Sequence, residues 1–201
     1  MVLNHVWGLL THPKEEWQAI REERCTVARC YAGHVMLLAA IPAVSAYLGA
    51  TRVGWAVGGG ETMRLTPESA LPMALLFYVA MLAGVYAMGR LIHWMAGTYG
   101  ASPSPAAGVV LAAHAATPLF MVGILALYPV VWIQMLFGYA GVAYAIYLLY
   151  TGVPITMGIP RERGLLFSTA VVTVGLVFVV GLLAATIVLW DIGVGPDFTR
   201  Q

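Results

Sequence analysis

Charge is what this chain is shortest of. Asp, Glu, Lys and Arg make up 9% of its 201 residues, with a formal net charge of +1, against roughly 25% charged residues in a soluble domain. No basic face is available to neutralise phosphates, which excludes nucleic acid as a partner. Cysteine is nearly absent too. Cys25 and Cys30 are the only two and are not spaced as CxxC, so a disulfide framework is excluded and free thiols are expected. Catalytic signatures are missing: no HExxH, GxSxG or P-loop, no GxGxxG after a strand, and no paired acids within an apolar run. Ser45 and Ser168 have no base beside them in sequence to activate a hydroxyl. A non-enzyme without a cofactor is the expectation. What the chain has instead is apolar residues, 61% of the total.

Those residues fall into an all-α plan: five membrane spans, at about 30–49, 71–96, 106–127, 130–150 and 165–190, preceded by a short interfacial amphipathic helix. Residues 1–29 form the N-terminal segment and 191–201 a short tail. The run Val2, Leu3, Val6, Trp7, Leu9 and Leu10 is too short to span and lacks a signal-peptide cleavage site, so it is expected in the interface. In THPKEEWQAIREER, Pro13 suits a first helical turn, Glu15 and Glu16 complement the dipole there, and Arg21 and Arg24 sit near the other end. Trp17 and Ile20 share one face, toward lipid or toward the bundle. Pro42 should kink the first span. Residues 50–70, with Arg52, Glu61, Arg64, Glu68 and Gly58, Gly59 and Gly60, read as a loop, after which Thr66 and Pro67 cap the second span. Ser104 and Pro105 are expected to cap the third. From Ala106 to Tyr150 a single helix would be about 67 Å long, twice a bilayer core, so Leu127-Tyr128-Pro129 has to be a hairpin. Gly152 and Pro154 are expected to end the fourth span near Tyr150, and Met157-Gly158-Ile159-Pro160 forms a second break.

Five spans put the two ends on opposite sides. With the N-terminus inside, Lys14, Arg21, Arg24, Arg29, Arg90, Arg161 and Arg163 are cytoplasmic or near it, against Arg52, Arg64 and Arg200 outside, which predicts N-in and C-out. The small-residue ridges Gly108, Ala112 and Ala116 on span three, Gly181 and Ala185 on span five, and Gly138, Gly141 and Ala145 on span four read as helix-packing surfaces.

Ionisable residues inside spans are the candidate site. Tyr86, Arg90 and His93 follow i, i+4, i+7 and share a face of span two. Either that face turns inward to meet His34 or His114, with Tyr139 or Tyr144 as hydrogen-bond partners, or Arg90 and His93 snorkel to head groups. An inward cluster of His34, Tyr86, Arg90, His93 and His114 would be a binding or proton-relay site. Cys30 and His34, four apart, form a weak candidate pair for a metal, with packing as the simpler account and no metal expected. Arg161 and Arg163 are candidate contacts for anionic head groups.

The order of motifs resembles one family. His12-Pro13 followed by Trp17 and Ile20, then Ala116-Thr117-Pro118 in the third span, then Tyr150-Thr151-Gly152-Val153-Pro154 leading to Met157-Gly158-Ile159-Pro160, is similar to bacterial members of the Yip family, the Ypt/Rab-interacting proteins. The resemblance implies a five-helix membrane bundle with a cytoplasmic N-terminus. The resemblance also implies eukaryotic relatives that bind small GTPases and carry a long cytoplasmic N-terminal region with an acidic, tyrosine-containing motif; residues 1–29 hold no such motif, so GTPase binding is not expected to carry over. The expected partners are membrane lipids and a membrane protein or a second copy, in the cell (inner) membrane. Two roles follow: a scaffold or accessory subunit working through intramembrane contacts, or a small permeation protein for an ion, a proton or a lipid-like solute.

Overall fold

The computed structural model describes residues 2–23, 25–55, 62–191, 193, 196 and 198–200. Arg24, the expected flexible Gly58, Gly59 and Gly60, Glu61 and part of the 191–201 tail lie outside the described residues. Among the described residues, five helices are long and apolar enough to cross a membrane, and two shorter ones precede them. We number them α1 (Val2–Thr11), α2 (Pro13–Glu23), α3 (Val27–Val53), α4 (Pro67–Tyr99), α5 (Ala107–Leu127), α6 (Val131–Met157) and α7 (Arg161–Asp191). β1 (Met63–Leu65) and β2 (Phe198–Arg200) pair antiparallel outside the bundle, and the Trp55 and Phe198 rings meet edge to face.

The spans alternate in direction, so the ends of α3, α5 and α7 meet the starts of α4 and α6 at the Tyr128–Pro129 hairpin end. The other end carries α1 and α2. Thr66 caps α4 as expected, its hydroxyl accepting from Ser69 N–H at 3.3 Å. Ser104 does not cap α5 with its side chain; its carbonyl accepts from Ala107 N–H at 3.0 Å, and the helix starts at Ala107 after Ala106. The first span runs past Gly49 to Val53 through a wide turn and stops at Gly54, whose φ of 75° takes the chain out of helix. The fourth does not end at Gly152 and Pro154. It continues to Met157, with Pro154 inside the helix, and is closed by Gly158 at φ 66°, whose N–H bonds Pro154 O. Tertiary contacts override the proline there: Val153 is fully buried, Trp17 covers Gly152, and Arg21 Nη1 donates to Ile155 O at 2.8 Å.

α5 is the central post, with every residue from Gly108 to Ala115 buried. It crosses α4 where Gly89 and Gly108 face each other; a Cβ on Gly89 would lie 2.8 Å from Val109 Cγ2, and one on Gly108 would lie 2.9 Å from His93 N. Removing side chains lets two backbones approach, which gives spanning helices their dispersion energy when water supplies no drive. The N-terminal run does not lie free in the interface. Val6 and Leu9 of α1, and Trp17 and Ile20 of α2, are buried against the bundle, with Trp7 and Leu10 facing outward. α7 packs through Gly164, Phe167, Ser168 and Val171, and every described residue from Gly181 to Asp191 is exposed.

Candidate functional site

Two local irregularities bring polar side chains together at the α1–α2 end. In α3, Tyr31–Val35 is a π-helical turn closed by Met36 N–H on Tyr31 O, and it holds the buried His34. Such single-turn widenings inside α-helices recur at functional sites. α5 is interrupted at Ala116, because Pro118 has no N–H to continue the ladder, and a new turn starts at the buried Thr117. The two irregular turns face each other, and His34 Nε2 lies 2.9 Å from Thr117 Oγ1.

From there a column of rings runs toward α1. His34 stacks on His114 with centroids 4.3 Å apart and planes 26° from parallel. His114 donates from Nδ1 to Val110 O at 2.8 Å, which fixes its tautomer and leaves Nε2 with the lone pair. His5 meets His114 edge-on at 5.8 Å, and Trp17 does so at 6.3 Å. Both ring nitrogens of His5 face carboxylates, Nδ1 that of Glu16 and Nε2 that of Glu23 at 2.9 Å. Carboxylates only accept, so any proton on either ring nitrogen of His5 has an acceptor facing it. Arg29 approaches Glu23 at 3.9 Å. A chamber of about 230 Å³ is lined by His5, Glu23, Arg29, Cys30, His34 and His114 among others, and His34 Nδ1 is buried with no hydrogen-bond partner among the described residues. Cys25 also borders it, and burial, then Glu23, push its thiol pKa up while Arg29 pulls the other way.

The expected cluster is therefore built differently. His34 and His114 come together, but Tyr86, Arg90 and His93 do not join them. Arg90 is exposed, Tyr86 is 48% exposed with its ring edge on Tyr31, and His93 is half-buried with Nδ1 unpartnered. The buried stripe of α4 is Val85, Gly89, Ile92 and Ala96. Arg90 stands one residue, about 100°, off that stripe, because the Gly89–Gly108 approach sets the helix rotation. Tyr139 is exposed, and Tyr144 donates to Leu9 O at 2.9 Å and Leu10 O at 3.1 Å, not to the α4 residues. Cys30 and His34 share the chamber, but among the described residues no three His, Cys, Asp or Glu side chains are grouped to hold a metal ion. Arg161 and Arg163 are exposed at the start of α7. Sequence reasoning missed His5 and Thr117. An imidazole inside the largely apolar run Val2–Leu10, and a hydroxyl next to a mid-span proline, were the signals.

The Yip1 domain model matches residues 7–182. The chain is 45% identical to inner membrane protein YohC of Escherichia coli strain K12 over 191 residues, covering 95% of this chain and 98% of that protein. This chain belongs to the Yip1 domain family. The YohC of Escherichia coli O6:H1 matches to the same extent. No solved structure matches. For the Yip1 family match, both halves of the site lie within the matched residues except His5, which stands two positions before them.

Proposed function

We propose that this Yip1-family membrane protein is a non-enzymatic, multi-pass protein of the inner membrane that acts as a scaffold or accessory subunit through contacts inside the bilayer. The observation that carries this reading is the use made of small residues. Gly89 and Gly108 are consumed in the α4–α5 crossing, whereas a Cβ on Gly181 of α7 would meet no heavy atom within 4 Å. The Gly181–Ala185 ridge is thus an unused helix-packing face on the least packed span. The inner-membrane placement follows the name of its relative YohC. Lys/Arg asymmetry supports a cytoplasmic α1–α2 end, with Arg161 and Arg163 beside anionic head groups. The non-enzyme reading has chemical support: among the described residues, the buried hydroxyl–imidazole pair of Thr117 and His34 has no carboxylate on His34 Nδ1 to orient the base, and Thr117 is fully buried. The test is purification at native expression level in parallel with Gly181→Leu and Ala185→Leu variants. A stoichiometric membrane partner that is retained by the parent and lost from both variants is the expected result; an equal yield from all three ends the proposal.

The histidine column favours a second reading, permeation of a proton or small cation. Irregular backbone and ionisable groups deep in a span are the usual makings of ion sites, and here both occur at one place. Proton flux into vesicles containing this chain alone, lost in His34→Gln and His114→Gln, would support it; tight vesicles would exclude it.

A further inference from the structure

A second cavity lies on the other side of the α5 break from the histidine column, toward the hairpin end. It measures about 740 Å³ and is walled by α3 (Pro42), α4 (Phe77, Met81), α5 (Leu119, Phe120) and α6 from Gln134 to Val142, with Leu182 of the splayed α7 at one side. All of these wall residues belong to spanning helices, so the medium at its mouth is hydrocarbon. Along α6 the cavity runs from Gln134 to Val142, eight residues, or about 12 Å at 1.5 Å each. That is close to one leaflet's half of a roughly 30 Å core.

Its occupant follows from size and from one polar group. A spanning helix of a second copy is about 30 Å long, more than twice the cavity's extent along α6, and so does not match it in length. A flexible chain of one-leaflet length does. Gln134 sits one turn into α6 and is half-buried on the cavity wall, and its side-chain amide makes no hydrogen bond to any described residue. In hydrocarbon an amide without a partner is costly. The ester carbonyl at the top of a glycerolipid acyl chain is an acceptor at that depth. Among the described residues, no Lys, Arg, Asp or Glu lines the cavity, so none of them reads a head group's charge.

We propose that this cavity is a binding site for one acyl chain of a glycerophospholipid, entered from the hairpin-end leaflet, with the Gln134 amide donating to the ester carbonyl and no selection among head groups. The site is separate from the scaffold and permeation readings and stands or falls without them.

The test uses Gly138, which lines the cavity and where an added Cβ would meet no heavy atom within 4 Å, so a larger residue enters the cavity without displacing protein. The full chain and its Gly138→Leu and Gly97→Leu variants are extracted in mild detergent, and bound lipid is counted by native mass spectrometry; an added Cβ at Gly97, away from the cavity, also meets no heavy atom within 4 Å. Thermal melting confirms that each variant is folded. The parent and Gly97→Leu should each retain one phospholipid per chain, and Gly138→Leu none. On re-addition of synthetic lipids, phosphatidylethanolamine and phosphatidylglycerol with the same chains should compete equally, and Gln134→Leu should weaken retention of the ester-linked lipid severalfold but not of its ether-linked analogue. Equal lipid counts in the parent and Gly138→Leu would overturn the site. So would retention governed by head-group charge, or a Gly138→Leu variant that changes oligomeric state and keeps its lipid.

Discussion

Alanine at position 89 is the sharpest test of how the bundle is held. The new methyl carbon would stand 2.8 Å from Val109 Cγ2 and 2.9 Å from Val109 N, where carbon atoms prefer 3.5–4.0 Å. Val109 N belongs to a helix backbone and cannot swing away. The α4–α5 crossing therefore has to open by about 1 Å, and a gap of that size forfeits a quarter to a half of each pairwise dispersion well. Ile92, Val109 and Ala113, all nearly or fully buried at this contact, lose partners together. Overpacking of this kind costs up to about 3 kcal/mol, and the better helix propensity of alanine returns about 1 kcal/mol. The net loss of about 2 kcal/mol is a factor near 30 in the folded population. In detergent, this lowers the apparent melting temperature by about 4–8 °C for a chain of this length. Gly138→Ala is the control, since nothing lies within 4 Å of a Cβ there and no loss is expected. Gly108→Ala should fall as Gly89→Ala does, and the double variant should lose less than the sum, because both open the same crossing. Identical melting of Gly89→Ala and Gly138→Ala would refute close backbone approach as the source of cohesion.

Arg90→Leu should shift the melting temperature little, because Arg90 is exposed; a drop of several degrees would place its partner inside the bundle. Cys25, with its thiol pKa raised, holds less thiolate at neutral pH than an unhindered cysteine, so maleimide labelling should be slow, accelerate as pH rises, and quicken in Glu23→Gln, while the buried Cys30 stays unlabelled. A rate independent of pH would contradict the account. In a Cys25→Ser, Cys30→Ser background, a membrane-impermeant thiol reagent added outside intact cells should label Arg52→Cys and not Glu162→Cys, and the reverse pattern would invert the topology.

Much of the architecture was legible because membrane helices are written in long runs. The Thr66–Pro67 start and the Tyr128–Pro129 hairpin follow from capping and from a bilayer's fixed thickness, which need no tertiary information. Gly152 and Pro154 misled for the opposite reason: their local preference to stop a helix is real, but Trp17 and Arg21, more than 130 residues earlier, hold the turn in place. The site was half legible. His34 and His114 stand out as imidazoles in apolar surroundings, yet the rotation of α4 decides whether Arg90 joins them, and that rotation is set by a glycine pair on two different helices. The i, i+4, i+7 pattern of Tyr86, Arg90 and His93 identified a common face without identifying which way it points. The π-helical turn around His34 has no sequence signature of its own.

The docking of α1 carries a consequence for biogenesis. The Leu9 carbonyl accepts from the Tyr144 hydroxyl, 135 residues further along, and Trp17 closes over Gly152. At about 5–20 residues per second, some 7 to 27 seconds pass between the synthesis of Leu9 and that of its partner. Through that interval Leu9 and Trp17 lack the α6 residues that anchor them. An insertion intermediate stalled before the fourth span is made therefore holds His34 and His114 together without the Tyr144 and Gly152 anchors that seat the lid over them.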